Sequence, residues 1–132
     1  MIKVFVKSGS GSCRSALKWL KAYKIPFETV HLKDLKMKEL VHILSLTDEG
    51  VTQLKTQNRG TNTANSHYIR TLVDESESFD ELLDIINENP ECFKAPIITD
   101  NNKLLIGYNE DEIRAFIPRM TRDVQWQTLT AQ

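Results

Sequence analysis

Cysteine is scarce in this 132-residue chain. Two residues, Cys13 and Cys92, are too few for a disulfide framework and fit thiols that stay reduced. An excess of either charge is missing too. Lys and Arg number 17 against 18 Asp and Glu, a formal net charge of −1, so the chain as a whole offers no electrostatic basis for tight, independent binding to nucleic acid. No apolar run approaches the length that spans a bilayer. The N-terminus enters a strand pattern directly, without the basic region and apolar core of a secretory signal. The expectation is a cytoplasmic protein with no membrane attachment. His31, His42 and His67 share no metal-ligand spacing and are read as structural, so neither a metal site nor a cofactor is expected.

What is present points to one α/β domain. With 40% hydrophobic and 27% charged residues, the chain suits a single sizeable core, or one domain carrying a modest insertion. Ile2-Lys3-Val4-Phe5-Val6 is β-branched and aromatic and predicts a buried strand. Lys7-Ser8-Gly9-Ser10-Gly11-Ser12-Cys13-Arg14 follows as turn and N-cap chemistry. Ala16, Leu17, Leu20 and Tyr23 then recur at helical spacing, predicting a helix from about Cys13 to Tyr23 that stops before Ile25-Pro26. This order puts Cys13 in the first helical turn, where backbone N–H groups and the helix dipole favour negative charge. A thiol there tends to be acidic and reactive. Many thiol enzymes and sensors carry a second cysteine three residues earlier, but here that residue is Ser10.

Phe27 to Leu32 alternates apolar and polar residues and predicts a second strand, parallel to the first in a βαβ unit. Met37, Leu40, Val41 and Leu44 form the apolar stripe of a helix ending near Leu46. Thr47 or Asp48 is then placed to cap a short helix reaching about Thr56. Residues 57–66 are polar and loop-like, and a further helical piece is sketched over His67 to Val73. Ser78 caps a helix in which Phe79, Leu82, Leu83 and Ile86 share a face, ended by Asn89-Pro90. Pro96 to Thr99 and Lys103 to Gly107 predict a β-hairpin. Asn109 caps a last helix, with Glu112 at the capping-box position and Ile113, Phe116 and Ile117 facing inward before Pro118. The architecture expected is thioredoxin-like, βαβ…ββα with a mixed sheet. Residues 1–32 and 93–118 form that part, a helical insertion with its own small core fills 33–92, and a tail occupies 119–132.

Several ordered pieces resemble the Spx branch of the arsenate reductase-related (ArsC) family. They are Ser10-x-x-Cys13-Arg14, Leu20-x-x-Tyr23-x-Ile25-Pro26-Phe27, Leu44 to Gly50, Ile85 to Pro90, Ala95 to Asp100, and Gly107 to Arg119 with its Gly-Tyr-Asn-Glu-Asp-Glu-Ile run. The resemblance implies a transcriptional regulator rather than an enzyme. Such a regulator binds the C-terminal domain of the RNA polymerase α subunit and alters stress-responsive transcription. It implies a polymerase contact at Gly50, within the turn Thr47, Asp48, Glu49 and Gly50, and a cis peptide bond before Pro96. It places the family's Cys-x-x-Cys redox switch at Cys13 and Ser10, where a serine hydroxyl cannot close the disulfide. It also implies that the C-terminus is read by a Clp-type protease, to which Thr128 to Gln132 is a loose match.

Each feature also has a plainer reading. Cys13 is either a reactive thiolate or a partly buried relic, and Ser10 is a loop or N-cap residue before it is a catalytic group. Cys92 is read as a small core residue before it is a resolving partner for Cys13. Gly50 is either a contact that a side chain would obstruct or a turn residue. Arg59 is a candidate for DNA contact made jointly with the polymerase, against the commoner exposed loop arginine. The lysines at 18, 21 and 24 and at 33, 36 and 38, and the arginines at 114, 119 and 122, read as solvated faces. The rival function is a monothiol glutaredoxin-like or arsenate reductase-like enzyme using Cys13. Oxyanion chemistry there calls for arginines beside the thiolate. The reductases carry one immediately before the proline, where this chain has Ala95, preceded by Lys94.

Overall fold

The structure, a computed structural model, describes residues 2–55 and 71–117. Strand β1 (Ile2–Val6) leads into helix α1 (Gly11–Ala22), which returns to β2 (Phe27–His31). A single 3₁₀ turn at Leu32–Asp34 is followed by α2 (Met37–Leu46) and a second 3₁₀ turn at Gly50–Leu54. Residues 71–75 are helical, and α3 (Phe79–Glu88), a 3₁₀ turn at Pro90–Cys92, β3 (Ile97–Thr99) and β4 (Leu104–Ile106) complete the main elements. The last described element is a 3₁₀ turn at Glu112–Phe116.

The sheet has the order β2-β1-β3-β4, with β1 parallel to β2 and the other pairs antiparallel. As the central apolar strand, β1 buries Val4, Phe5 and Val6 almost completely, which is why it reads as a continuous hydrophobic run. Side chains of a strand alternate between faces, and the core divides accordingly. On one face Phe5 and Ile97 pack with Leu40 and Ile43 of α2 and with Leu82 and Ile86 of α3. On the other, Val4, Val6, Ile98 and Leu105 pack with Ala16, Trp19 and Leu20 of α1 and with Ile113 and Phe116. The apolar side chains of the expected insertion thus share one core with the sheet; they do not close a separate one.

The βαβ unit, the parallel pairing, the hairpin and the mixed sheet agree with the sequence-based expectation. Four local details differ. Helix α1 begins at Gly11 and ends in a Schellman motif: the Lys24 N–H donates to the Lys21 carbonyl at 3.1 Å, and the Ile25 N–H to the Leu20 carbonyl at 3.0 Å. Lys24 adopts a positive φ of 55° there, so the stop is made by this motif before the proline acts.

Thr47 and Asp48 do not cap the next element. The Thr47 hydroxyl donates to the Leu44 carbonyl at 2.7 Å and closes α2. Glu49 stands at the start of the 3₁₀ turn, its N–H donating to the Gln53 side chain at 2.7 Å. Phe79 is 52% exposed because it is the first residue of α3, ahead of the buried Leu82 and Ile86. The expected last helix is a 3₁₀ turn. Asn109 does accept the N–H groups of Asp111 and Glu112, at 2.9 and 3.0 Å. The buried pair Ile113 and Phe116, three apart, suits three residues per turn. Arg59, His67, Pro118 and the tail at 119–132 lie outside the described residues, as does most of the helical piece expected at His67 to Val73; of that stretch, residues 71–73 are helical.

Candidate functional site

The loop between β1 and α1 is shaped by Gly9, whose φ of +74° falls in the left-handed region that glycine occupies without strain. The chain then reaches Ser10, the N-cap of α1. Its hydroxyl oxygen accepts the Cys13 N–H at 3.2 Å, and its carbonyl accepts the Arg14 N–H at 3.3 Å. One of the orphan amides of the first turn is thereby satisfied. Cys13 sits in that turn as expected. Its side chain, however, points into the α1-side core and is 4% exposed. Burial removes the open approach that a nucleophilic thiol needs. The exposed positions of the turn belong to Gly11, Ser12 and Arg14.

Beside this loop runs the segment before Pro96. The Ala95-Pro96 bond is cis, as the resemblance implies. Lys7 donates from Nζ to the Phe93 carbonyl at 2.8 Å. The Lys94 N–H donates to the Leu54 carbonyl at 2.7 Å, and Lys55 and Phe93 form an isolated antiparallel bridge. The segment is therefore tied both to the end of β1 and to the 3₁₀ turn after Gly50. Cys92 packs in the cluster with Phe93, Leu82 and Ile86, on the sheet face opposite Cys13. The two thiols thus belong to different clusters, in keeping with the reading of Cys92 as a small core residue.

The turn at Thr47 to Gly50 follows α2. Asp48 and Glu49 are exposed, and Gly50 has a φ of +69°. A Cβ built on Gly50 meets nothing within 4 Å. Backbone conformation therefore suffices to explain the glycine, and the space beyond it is open. A groove of about 330 Å³ runs from Leu46, Asp48 and Gln53 along β4 to Lys94 and Glu112. Sequence reasoning found the turn but not this groove. Lys94, Gln53 and Glu112 come together only through the tertiary fold, and no local spacing announces it.

On the opposite face of the sheet, α1 presents Arg14, Lys18 and Lys21 to solvent around the half-buried Leu17. The helix contains no acidic residue. Among the described residues, no group of three His, Cys, Asp or Glu side chains is placed to hold a metal ion, and no helix is long and apolar enough to cross a membrane.

The chain matches the model of the ArsC family over residues 5–116. It is 40% identical over 125 residues to a protein named Global transcriptional regulator Spx from Streptococcus pneumoniae, covering 92% of this chain and 90% of that protein. A protein of the same name from Staphylococcus aureus is 35% identical over 130 residues, covering 96% and 95%. Among solved structures, a Staphylococcus aureus COL protein studied by solution NMR superposes with a TM-score of 0.63 at 20% identity, covering 87% and 97%. An arsenate reductase from Vibrio cholerae superposes with a TM-score of 0.51 at 14% identity, covering 88% and 94%. At these identities the structural likenesses speak for the fold alone.

Proposed function

The chain belongs to the ArsC family, and we propose that within it the protein is a cytoplasmic transcriptional regulator of the Spx kind that docks on the C-terminal domain of the RNA polymerase α subunit. The observation that carries this reading is the 35–40% identity, over more than nine-tenths of the chain, to proteins named as Spx regulators. The geometry of the thiol site supports it. Cys13 is buried, Ser10 serves as a helix cap, and an alanine precedes the cis proline. In this reading Thr47, Asp48, Glu49 and Gly50 form the polymerase contact, aided by the exposed side of α1. Contact with promoter DNA is weak or made jointly with the polymerase, with Arg59 as a candidate. The C-terminal tail is a recognition element for a Clp-type protease. The regulator acts on stress-responsive transcription without the usual disulfide switch.

The competing reading is a monothiol reductase. Its one support is the position of Cys13 in the first turn of α1, and the burial of that sulfur works against it. The test is capture of the purified α C-terminal domain by the purified chain, run beside a glutathione-dependent turnover assay. Saturable capture without turnover supports the regulator. Turnover that disappears in Cys13→Ser, with no capture, replaces it with the enzyme.

A further inference from the structure

We propose that the cavity between β1, the β3–β4 turn and the first half of α2 is a binding site for a small organic oxyanion, a carboxylate or a phosphate ester. The cavity measures about 270 Å³ and lies at the end of β1 away from Cys13. Its floor is set by strand register. Lys3 and Thr99 are direct cross-strand partners, and each stands two residues from a core side chain of the same face, Phe5 and Ile97. Helix α2 forms the wall, with Lys38, Glu39 and His42.

The hydrogen-bond accounting points to an acceptor-rich guest. Thr99 is 2% exposed and lines the cavity, and its hydroxyl has no hydrogen-bond partner among the described residues. Buried hydroxyls are normally bonded. A lone water needs only about 10–15 Å³, so the space is far larger than that explanation requires, and it lies just below the range of about 300–1,000 Å³ usual for ligand pockets.

Glu39 and one oxygen of Asp100 are already engaged. Glu39 accepts the Lys3 ammonium at 3.1 Å and the Lys36 N–H at 3.0 Å. One carboxylate oxygen of Asp100 accepts the Asn102 and Lys103 N–H groups at 2.9 and 2.7 Å. His42 holds its Nε2 at 2.7 Å from the Asp100 carbonyl, which can only accept, so that nitrogen carries the hydrogen. Spare donors remain on Lys38, on Lys3 and on the Thr99 hydroxyl. The Lys38 ammonium and the Thr99 hydroxyl, both without a partner among the described residues, match an oxyanion bound by charge-assisted hydrogen bonds.

The test is an amide chemical-shift titration of the full chain with glycerol 3-phosphate, with succinate, and with glycerol as the uncharged control. The expected result is saturable shifts at Lys3, Lys38 to His42 and Thr99 to Asn101 with one or both oxyanions and not with glycerol. Response to only one of the two identifies the head group. Thr99→Val should weaken that binding roughly tenfold, the loss of one hydrogen bond to a charged group, and Lys38→Glu should abolish it. Melting curves of both variants establish that they fold, and Lys38, being exposed, keeps the test open if Thr99→Val does not. The proposal is overturned by no saturable shift with either oxyanion, by equal shifts with glycerol, or by parental affinity in Lys38→Glu. None of these outcomes depends on capture of the polymerase domain.

Discussion

Ser10 and Cys13 are joined by a hydrogen bond in which the serine oxygen accepts the cysteine amide at 3.2 Å. In a Cys-x-x-Cys protein these two positions would exchange electrons; here the first of them holds the helix start. Ser10→Ala should therefore destabilise the protein by about 1 kcal/mol, a drop of about 4 °C in melting temperature. Ser10→Asp should restore most of it, since aspartate caps equally well. An unchanged melting curve for Ser10→Ala would mean that the cap carries no stability.

Cys13 is 4% exposed, so its alkylation should require opening of the chain. Iodoacetamide, followed by mass spectrometry, should modify Cys13 at least about a hundredfold more slowly in the native protein than in denaturant, because the reaction waits on rare open states. Fast native labelling would restore the reactive-thiolate reading.

Gly50 has a φ of +69° and open space beyond its Cα. Gly50→Asn should fold with a loss of no more than about 1 kcal/mol, asparagine being tolerated in this region. It should also keep binding to the polymerase α C-terminal domain. Gly50→Arg should be more strained than Gly50→Asn and, on the proposed docking, should lose the binding because its side chain projects into the open space at the turn; a melting curve separates the two effects. Equal binding by both variants, measured by calorimetry, would move the interface elsewhere.

Lys24 occupies the left-handed position of the Schellman motif at the end of α1. Lys24→Gly should raise stability by about 1 kcal/mol, since glycine adopts this conformation without the Cβ penalty. Chemical denaturation reads the shift of midpoint directly.

Ile97 packs with α2 and α3 residues on one face of the sheet. Ile97→Ala should cost about 2–5 kcal/mol. Far-UV ellipticity and Trp19 fluorescence should be lost in the same transition, because the helical segment and the sheet share a core. Two separated transitions would instead make residues 33–92 an independent folding unit.

Much of this was legible in the chain because local chemistry decides it. The β-branched run of β1, the serine caps at Ser10 and Ser78, and the turn between β3 and β4 all follow from short-range preferences. The illegible parts depend on contacts distant in sequence. The strand run ending at Thr99 does not say that Lys3 lies beside it, since register is set by the whole sheet. The Thr47–Asp48 cap was misplaced because the Thr47 hydroxyl turns back to close α2, an option open to any threonine there. Phe79 has the right period for the core but sits one turn too early to reach it. Of the thiol site, the placement of Cys13 in the first turn could be read, whereas the direction of its side chain depends on how α1 lies against the sheet.

Cys13 and Cys92 belong to separate clusters of the core, packed with side chains from opposite faces of the sheet. A covalent link between the two sulfurs would draw both side chains out of the clusters they pack in. Both thiols are buried, so such a bond should form most readily in chains whose core has opened. For this molecule a Cys13–Cys92 crosslink would be a record of past opening, and its abundance in a population would rise with the share of molecules that had opened under oxidising conditions.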